Sequence, residues 1–167
     1  HVNLIESGTK SDFETIDKAA EANYYAVSSS QKRLWLIDQL DPGTTAYNMF
    51  GTYSLPSNFA LKHFEKAVNQ LIARHEILRT VFIEEDGVPY QQVLSSDEVY
   101  LNILTGSESD YPAASIAHYR FDLSKWSLLK MVVVTGEGQS PRLLFCMHHI
   151  ISDGWSMELF IRDLLAL

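Results

Sequence analysis

The sequence has 167 residues, of which 46% are hydrophobic and 20% charged, the mix and length of one globular domain or one lobe of something larger. Its 13 Lys and Arg against 21 Asp and Glu give a formal net charge of -8, an acidic balance that repels phosphate backbones and argues against nucleic acid as a partner. No run approaches the ~18 apolar residues of a membrane span, no basic segment leads into an apolar one at the N-terminus, and Cys146 has no second cysteine to pair with. These features predict no membrane partner and a reducing, cytoplasmic setting. The first residue is His1 rather than Met, and the last four, Leu164 to Leu167, lie inside an apolar pattern, as the ends of an excised piece do.

Residues 1–23 are polar and weakly periodic, and read as a linker or leading arm ahead of a domain over 24–167. Ser28-Ser29-Ser30-Gln31 has the form of a helix start, and Leu34, Trp35, Ile37 and Leu40 continue it at helical spacing until Asp41-Pro42-Gly43 stops it. Residues 46–55 alternate as a strand, and Pro56-Ser57-Asn58 turns the chain. From Ala60 to Ile77 the apolar residues recur at i, i+3, i+4 and i+7, which predicts the clearest helix in the chain. Thr80–Ile83 and Val88–Leu94 flank Asp86-Gly87 as a hairpin. Val99–Leu104 reads as a short strand and 112–119 as a short helix. Leu128–Thr135 and Arg142–His148 are near-continuous apolar strands around a glycine turn, buried on both faces. A polar loop over 149–154 leads to a final helix from Trp155, with Met157, Phe160, Ile161 and Leu164 facing inward. The order predicts an α/β (α+β) layered sandwich, a mixed sheet flanked by helices.

The loop His148-His149-Ile150-Ile151-Ser152-Asp153-Gly154 carries the chemistry. Adjacent residues at a strand end point to opposite faces, so one histidine faces a given cleft and the other turns into the protein. Histidine suits proton abstraction near neutral pH, since its ordinary pKa is roughly 6.5. Asp153 is placed to orient an imidazole or pair with a cation, and Gly154 opens a helix whose first N–H groups are free to meet negative charge. A metal site is not expected, because adjacent histidines cannot easily reach one ion from a strand and no third ligand sits at a recognisable spacing. Cys146, mid-strand among apolar residues, reads as core rather than nucleophile.

The pattern His-His-x-x-x-Asp-Gly resembles the signature of the chloramphenicol acetyltransferase-like superfamily. Three further segments resemble condensation domains of nonribosomal peptide synthetases: Ser28 to Trp35, Arg74 to Phe82 and Phe121 to Lys130. One departure is visible, Trp126-Ser127 where members commonly carry Gly-Pro. The resemblance implies the N-terminal lobe of a condensation domain, a chloramphenicol acetyltransferase-like lobe whose C-terminal lobe is absent. It implies amide formation between an aminoacyl or peptidyl thioester on an upstream peptidyl carrier protein and an acceptor amine on a downstream one. No cofactor binds the domain directly; the carriers present phosphopantetheine arms. His149 is then the catalytic histidine, as base or as positioner of the amine. His148 is structural, and Asp153 is a buried carboxylate needing a cation, with Arg74 and Arg79 as local candidates. Gly154 leaves room for the arms, and Ser152 and Trp155 are candidates for the substrate channel. Such a lobe alone folds, exposes the face its partner lobe covers, and makes no peptide bond. Two alternatives remain: a stand-alone, trimeric acyltransferase using coenzyme A, and a non-catalytic lobe that binds carriers.

Overall fold

The computed structural model describes residues 19–166. Most of the leading segment therefore lies outside the described residues. Within them, seven strands and four α-helices run in the order β1 (Tyr25–Ala26), α1 (Ser29–Leu40), β2 (Asn48–Ser54), α2 (Leu61–Arg74), β3 (Thr80–Glu85), β4 (Val88–Val93), β5 (Leu104–Gly106), α3 (Ala113–Ala117), β6 (Leu129–Val134), β7 (Arg142–His148) and α4 (Gly154–Ala166). Two sheets result. One has the order β1-β4-β3, and the other the order β2-β7-β6-β5 with only the β5–β6 pair parallel. The fold is a mixed α/β arrangement with helices flanking a mixed sheet.

The local chemistry explains most boundaries. Ser28 caps α1 through a reciprocal box: its hydroxyl accepts from the Gln31 N–H at 3.2 Å, and the Gln31 side chain accepts from the Ser28 N–H at 2.8 Å. The helix ends where Asp38, buried, accepts the N–H of Gly43, a residue at φ 71° that only glycine adopts without strain. Leu40, the last residue of the apolar spacing, is exposed. The β3–β4 hairpin turns on Asp86 and Gly87, both at positive φ, as a two-residue turn matched to strand twist requires. The helix expected to reach Ile77 stops at Arg74, and a one-turn 3₁₀ helix over Glu76–Arg79 follows.

The core lies between the β2-β7-β6-β5 sheet and α2. β6 and β7 are buried almost throughout, as their apolar runs predict, and Val68, Leu71 and Ile72 of α2 pack with them. Cys146 is fully buried in β7, and burial pushes its thiol pKa up to about 11, which suits a core residue.

The segment Val99–Leu104 departs from expectation in an instructive way. Val99, Leu101 and Ile103 are all buried, so the alternation is present, but the ladder strand is Leu104–Gly106. Side chains of α2 stand in for a neighbouring strand. Asn69 donates to the Leu101 carbonyl at 3.0 Å and accepts the Leu101 N–H at 2.8 Å, while Glu65 accepts the Ile103 N–H at 3.0 Å. A side-chain amide offers the same donor and acceptor as a peptide group, so Asn69 acts as one residue of missing strand. Replacing Asn69 by Ala leaves both polar groups of buried Leu101 unpaired, and should lower unfolding free energy by about 2 kcal/mol in urea melts. A loss under about 0.5 kcal/mol would show that water reaches Leu101 instead.

Candidate active site

β7 ends at the histidine pair, and the alternation of its side chains decides the fate of each. His148 is 2% exposed, whereas His149 is exposed. The backbone is held on both sides: His148 donates its N–H to the Leu128 carbonyl at 3.0 Å, and His149 donates its N–H to the Tyr47 carbonyl at 2.9 Å. A one-turn 3₁₀ helix, His149–Ile151, follows. His148 caps that turn with its own ring, Nδ1 accepting the Ile150 N–H at 3.1 Å. Ile150 and Ile151 are buried and fasten the turn to the core.

His149 opens onto a cleft of about 780 Å³. Its walls come from distant parts of the chain: Gln31 at the start of α1, Tyr47 ahead of β2, Gln91 of β4, and Ser152 and Asp153 of the loop itself. The amides of Gln31 and Gln91 are bonded to each other at 2.9 Å, and Gln91 also donates to the Ala26 carbonyl, so this wall is braced across three elements. Tyr47 and Gln91 carry no functional signal in the sequence, and Gln31 enters only as part of the Ser28 to Trp35 motif. Only the pairing of β2 with β7 and of β1 with β4 brings them beside the loop.

Of the residues expected at the site, His149, Ser152 and Asp153 meet in this cleft. The others do not all follow. Asp153 is not buried. It is exposed, and it caps α4, its Oδ1 accepting the Ser156 N–H at 2.8 Å and the Ser156 hydroxyl at 2.6 Å. Those bonds first, and the nearby His149 imidazole to a smaller degree, hold its pKa below the usual carboxylate range. An exposed carboxylate capped this way needs no cation, and neither expected arginine supplies one. Arg74 lies 3.8 Å from Asp163 of α4, and Arg79 is bound to the Leu94 carbonyl and Glu76. Asp163 also takes the ring of His75 at 3.1 Å, so the second motif anchors the body of α4 rather than its start. Gly154 is the first residue of α4, and nothing lies within 4 Å of where a Cβ would stand. Trp155 is 73% exposed and lies outside the cleft lining. The peptide between Trp126 and Ser127 is cis. Among the described residues no group of His, Cys, Asp and Glu is arranged to hold a metal ion, and no helix is long and apolar enough to cross a membrane.

The sheet presents one histidine to a cleft and seals its neighbour in the core, and comparison with known proteins identifies the family. The condensation-domain family profile matches residues 21–167. The chain belongs to the condensation-domain family. It is 39% identical over 168 residues to bacitracin synthase 3 of Bacillus licheniformis, covering 99% of this chain and 3% of that protein. It is also 35% identical over 164 residues to gramicidin S synthase 2 of Brevibacillus brevis, covering 97% and 4%. The fold matches that of the first condensation domain of the calcium-dependent antibiotic synthetase with a TM-score of 0.73 at 22% identity, over 86% of this chain and 36% of that one. It matches the complex of the X-domain and OxyB from teicoplanin biosynthesis with a TM-score of 0.77 at 24% identity, over 90% and 34%. The chain thus spans a few per cent of the length of these synthases and about a third of the matched structural chains.

Burial pushes the His148 pKa down to about 4 from its ordinary 6.5, with proximity to His149 adding to the effect. Between those values the unfolded chain binds a proton that the folded chain refuses. The contribution of His148 to stability is therefore full above pH 6.5 and is lost as the pH falls, by about 1.4 kcal/mol per pH unit, until it levels off near the folded value. Unfolding free energies of wild type and His148→Gln, measured by urea from pH 7.5 to 4.5, should converge by that slope. Parallel curves would show that His148 is not held neutral in the fold.

Proposed function

We propose that the chain is the N-terminal lobe of a peptide-bond-forming condensation domain of a nonribosomal peptide synthetase, over residues 24–167, and supplies one wall of its active site. The observation that carries the reading is the placement of His149. It is an exposed imidazole at the end of a rigid strand, on a cleft that its buried neighbour cannot reach. The donor is an aminoacyl or peptidyl thioester on an upstream peptidyl carrier protein, and the acceptor is an amine on a downstream one. The cleft suits the neutral, amide-containing pantetheine part of a phosphopantetheine arm, which arrives as part of the substrate. Apolar Leu34, Ile77 and Ile151 line it together with the hydrogen-bonding Tyr47 and Ser152.

In the reaction the acceptor nitrogen attacks the thioester carbonyl, the C–S bond breaks, and the proton given up by nitrogen ends on the leaving thiolate. Among the described cleft residues His149 is the group suited to that transfer near neutral pH. It holds the amine by hydrogen bond, takes its proton as the C–N bond forms and passes it to sulfur. Gly154, without a side chain at the open start of α4, offers its N–H to negative charge developing on the carbonyl oxygen. Asp153 serves this geometry indirectly, by capping and thereby fixing the first turn of α4. The cleft has one wall here, and aligning two tethered substrates requires a second, from the C-terminal lobe.

The test uses the complete condensation domain with both carrier proteins loaded. His149→Ala should lower amide formation by about 10²-fold or more with stability unchanged, since the side chain is exposed. Dipeptide formation within twofold of wild type would instead favour the carrier-binding, non-catalytic alternative. The 167-residue chain alone should give no His149-dependent dipeptide with the same two carriers, and its appearance would refute the need for a second wall.

A further inference from the structure

An edge strand offers a row of open N–H and C=O groups that another chain can pair with, and proteins protect such edges. Three of the four edges among the described residues are protected. β1 and β5 are short, with two and three residues. β3 gives its Phe82 N–H to the Leu123 carbonyl at 2.8 Å and ends in Glu84 and Glu85. β2 has none of these devices. It is seven residues long and pairs one-to-one with β7 without a bulge. Its sequence, Asn48-Met49-Phe50-Gly51-Thr52-Tyr53-Ser54, holds neither a charge nor a proline.

The phase of the β2–β7 ladder fixes which groups stay open. The Tyr47 carbonyl accepts the His149 N–H and the Leu55 N–H donates to the Pro141 carbonyl, so the odd-numbered residues of β2 bond to β7. The backbone groups of Phe50, Thr52 and Ser54 point the other way and find no partner among the described residues. All three residues are exposed, as is Tyr53 between them. An antiparallel copy of the same strand, related by a two-fold axis at Thr52, answers this edge group for group. Thr52 then faces Thr52 of the second copy, and Phe50 faces Ser54, so all three open residues pair with one another. Neighbouring registers do not achieve this. An axis at Gly51 sets Ser54 against Asn48, whose N–H is already given to the Thr45 carbonyl. An axis at Tyr53 sets Phe50 against Pro56, which has no N–H.

We infer that the outer edge of β2 is a strand-pairing surface, and that two copies of this chain join there, antiparallel about Thr52, into one continuous sheet. The side chains suit that register. Threonine opposite threonine is a favoured cross-strand pair. Gly51 lies opposite Tyr53 of the second copy, and an aromatic ring covers a glycine on an edge. Phe145 already occupies the space beside Gly51, where a Cβ would stand 2.2 Å from its ring, and it stacks on Tyr53 of its own chain at 5.7 Å, so the second Tyr53 adds to an aromatic cluster. Charge selects the same place. Copies of a chain with net charge -8 repel one another over most of their surface, and β2 sets no charge against a charge. This pairing is independent of the chemistry proposed for His149.

The experiment is sedimentation of the 167-residue chain over a concentration series, read with amide hydrogen exchange. Monomer and dimer should be the only species. On going from dilute to concentrated protein, exchange at Phe50, Thr52 and Ser54 should slow about tenfold or more, while Met49, Gly51 and Tyr53, bonded to β7, stay as they were. Thr52→Lys places like charges face to face and should raise the dimer Kd at least about tenfold, and mixing it with Thr52→Glu should restore the dimer. Under oxidation Thr52→Cys should link the two copies. Ser54→Cys should not, since those positions stand about 14 Å apart along the strands, and Cys146 is fully buried and does not compete. A chain that stays monomeric up to about 1 mM would overturn the inference. So would a dimer that tolerates Thr52→Lys or is linked through Ser54→Cys, because the contact would then lie elsewhere. Slow exchange at the three residues in the dilute monomer would overturn it too, by giving the edge to another segment of the same chain.

Discussion

The arrangement of the site depends on one constraint, the two-residue period of a β-strand at the point where β7 leaves the sheet. Consecutive side chains must face opposite ways, so a His-His pair at a strand end cannot serve one cleft with both rings. The burial is lopsided as a result. His148 enters the core with Met147 and Ile150 around it in sequence, and His149 meets the cleft. A slip of one residue in the β2–β7 register would exchange the two rings and abolish the site. The flanking interactions all oppose such a slip. β6 and β2 grip β7 on both sides, the Leu128 and Tyr47 carbonyls hold the two histidine N–H groups, and Gly51 lies opposite Phe145, where a Cβ would come within 2.2 Å of the ring.

Holding a histidine in that core has a stability cost in acid, and the structure lowers it by keeping the ring neutral and employing it. The cap on Ile150 turns an imidazole that burial forbids from charging into a backbone acceptor, in place of the carbonyl that a continuing helix would have offered. An apolar residue at 148 would fill the space and leave the Ile150 N–H unpaired in a buried turn. An Asn or Asp would cap it with a shorter side chain, but without the ring that packs on Phe121. The first histidine of the pair is thus explained by packing and capping, and needs no share in the chemistry.

Much of this was legible in the sequence because it rests on local rules. The capping box at Ser28, the Asp86-Gly87 hairpin, the apolar runs of β6 and β7, and the opposite facing of His148 and His149 follow from spacing alone. What was not legible depends on partners far along the chain. The buried alternation of Val99, Leu101 and Ile103 looked like a ladder strand, since periodicity reports burial and not which group bonds the backbone. The family resemblance makes Asp153 one half of an ion pair. Yet the same Asp-x-x-Ser spacing is a helix cap, and Ser156 three residues on was the available signal. The resemblance makes Arg74 and Arg79 local partners for Asp153, but the path of the chain after α2 takes them to α4 and to the end of β4.

The cleft separates two requirements of the proposed chemistry. Its braced wall is rigid: the Gln31–Gln91 pair joins the α1 start to β4, and the His75–Asp163 contact ties α4 to the end of α2. Rigid placement of His149 answers one requirement of acyl transfer, a proton acceptor at a fixed point. The other requirement is that two tethered substrates reach that point from different directions and stay aligned, and a single wall constrains only one side of each. Each brace therefore fixes the His149 ring relative to a surface, and in the proposed function a second surface facing it would complete a passage. Under the proposed function, proton handling falls to the loop of this chain and alignment to two facing surfaces, so the loop governs the rate of bond formation.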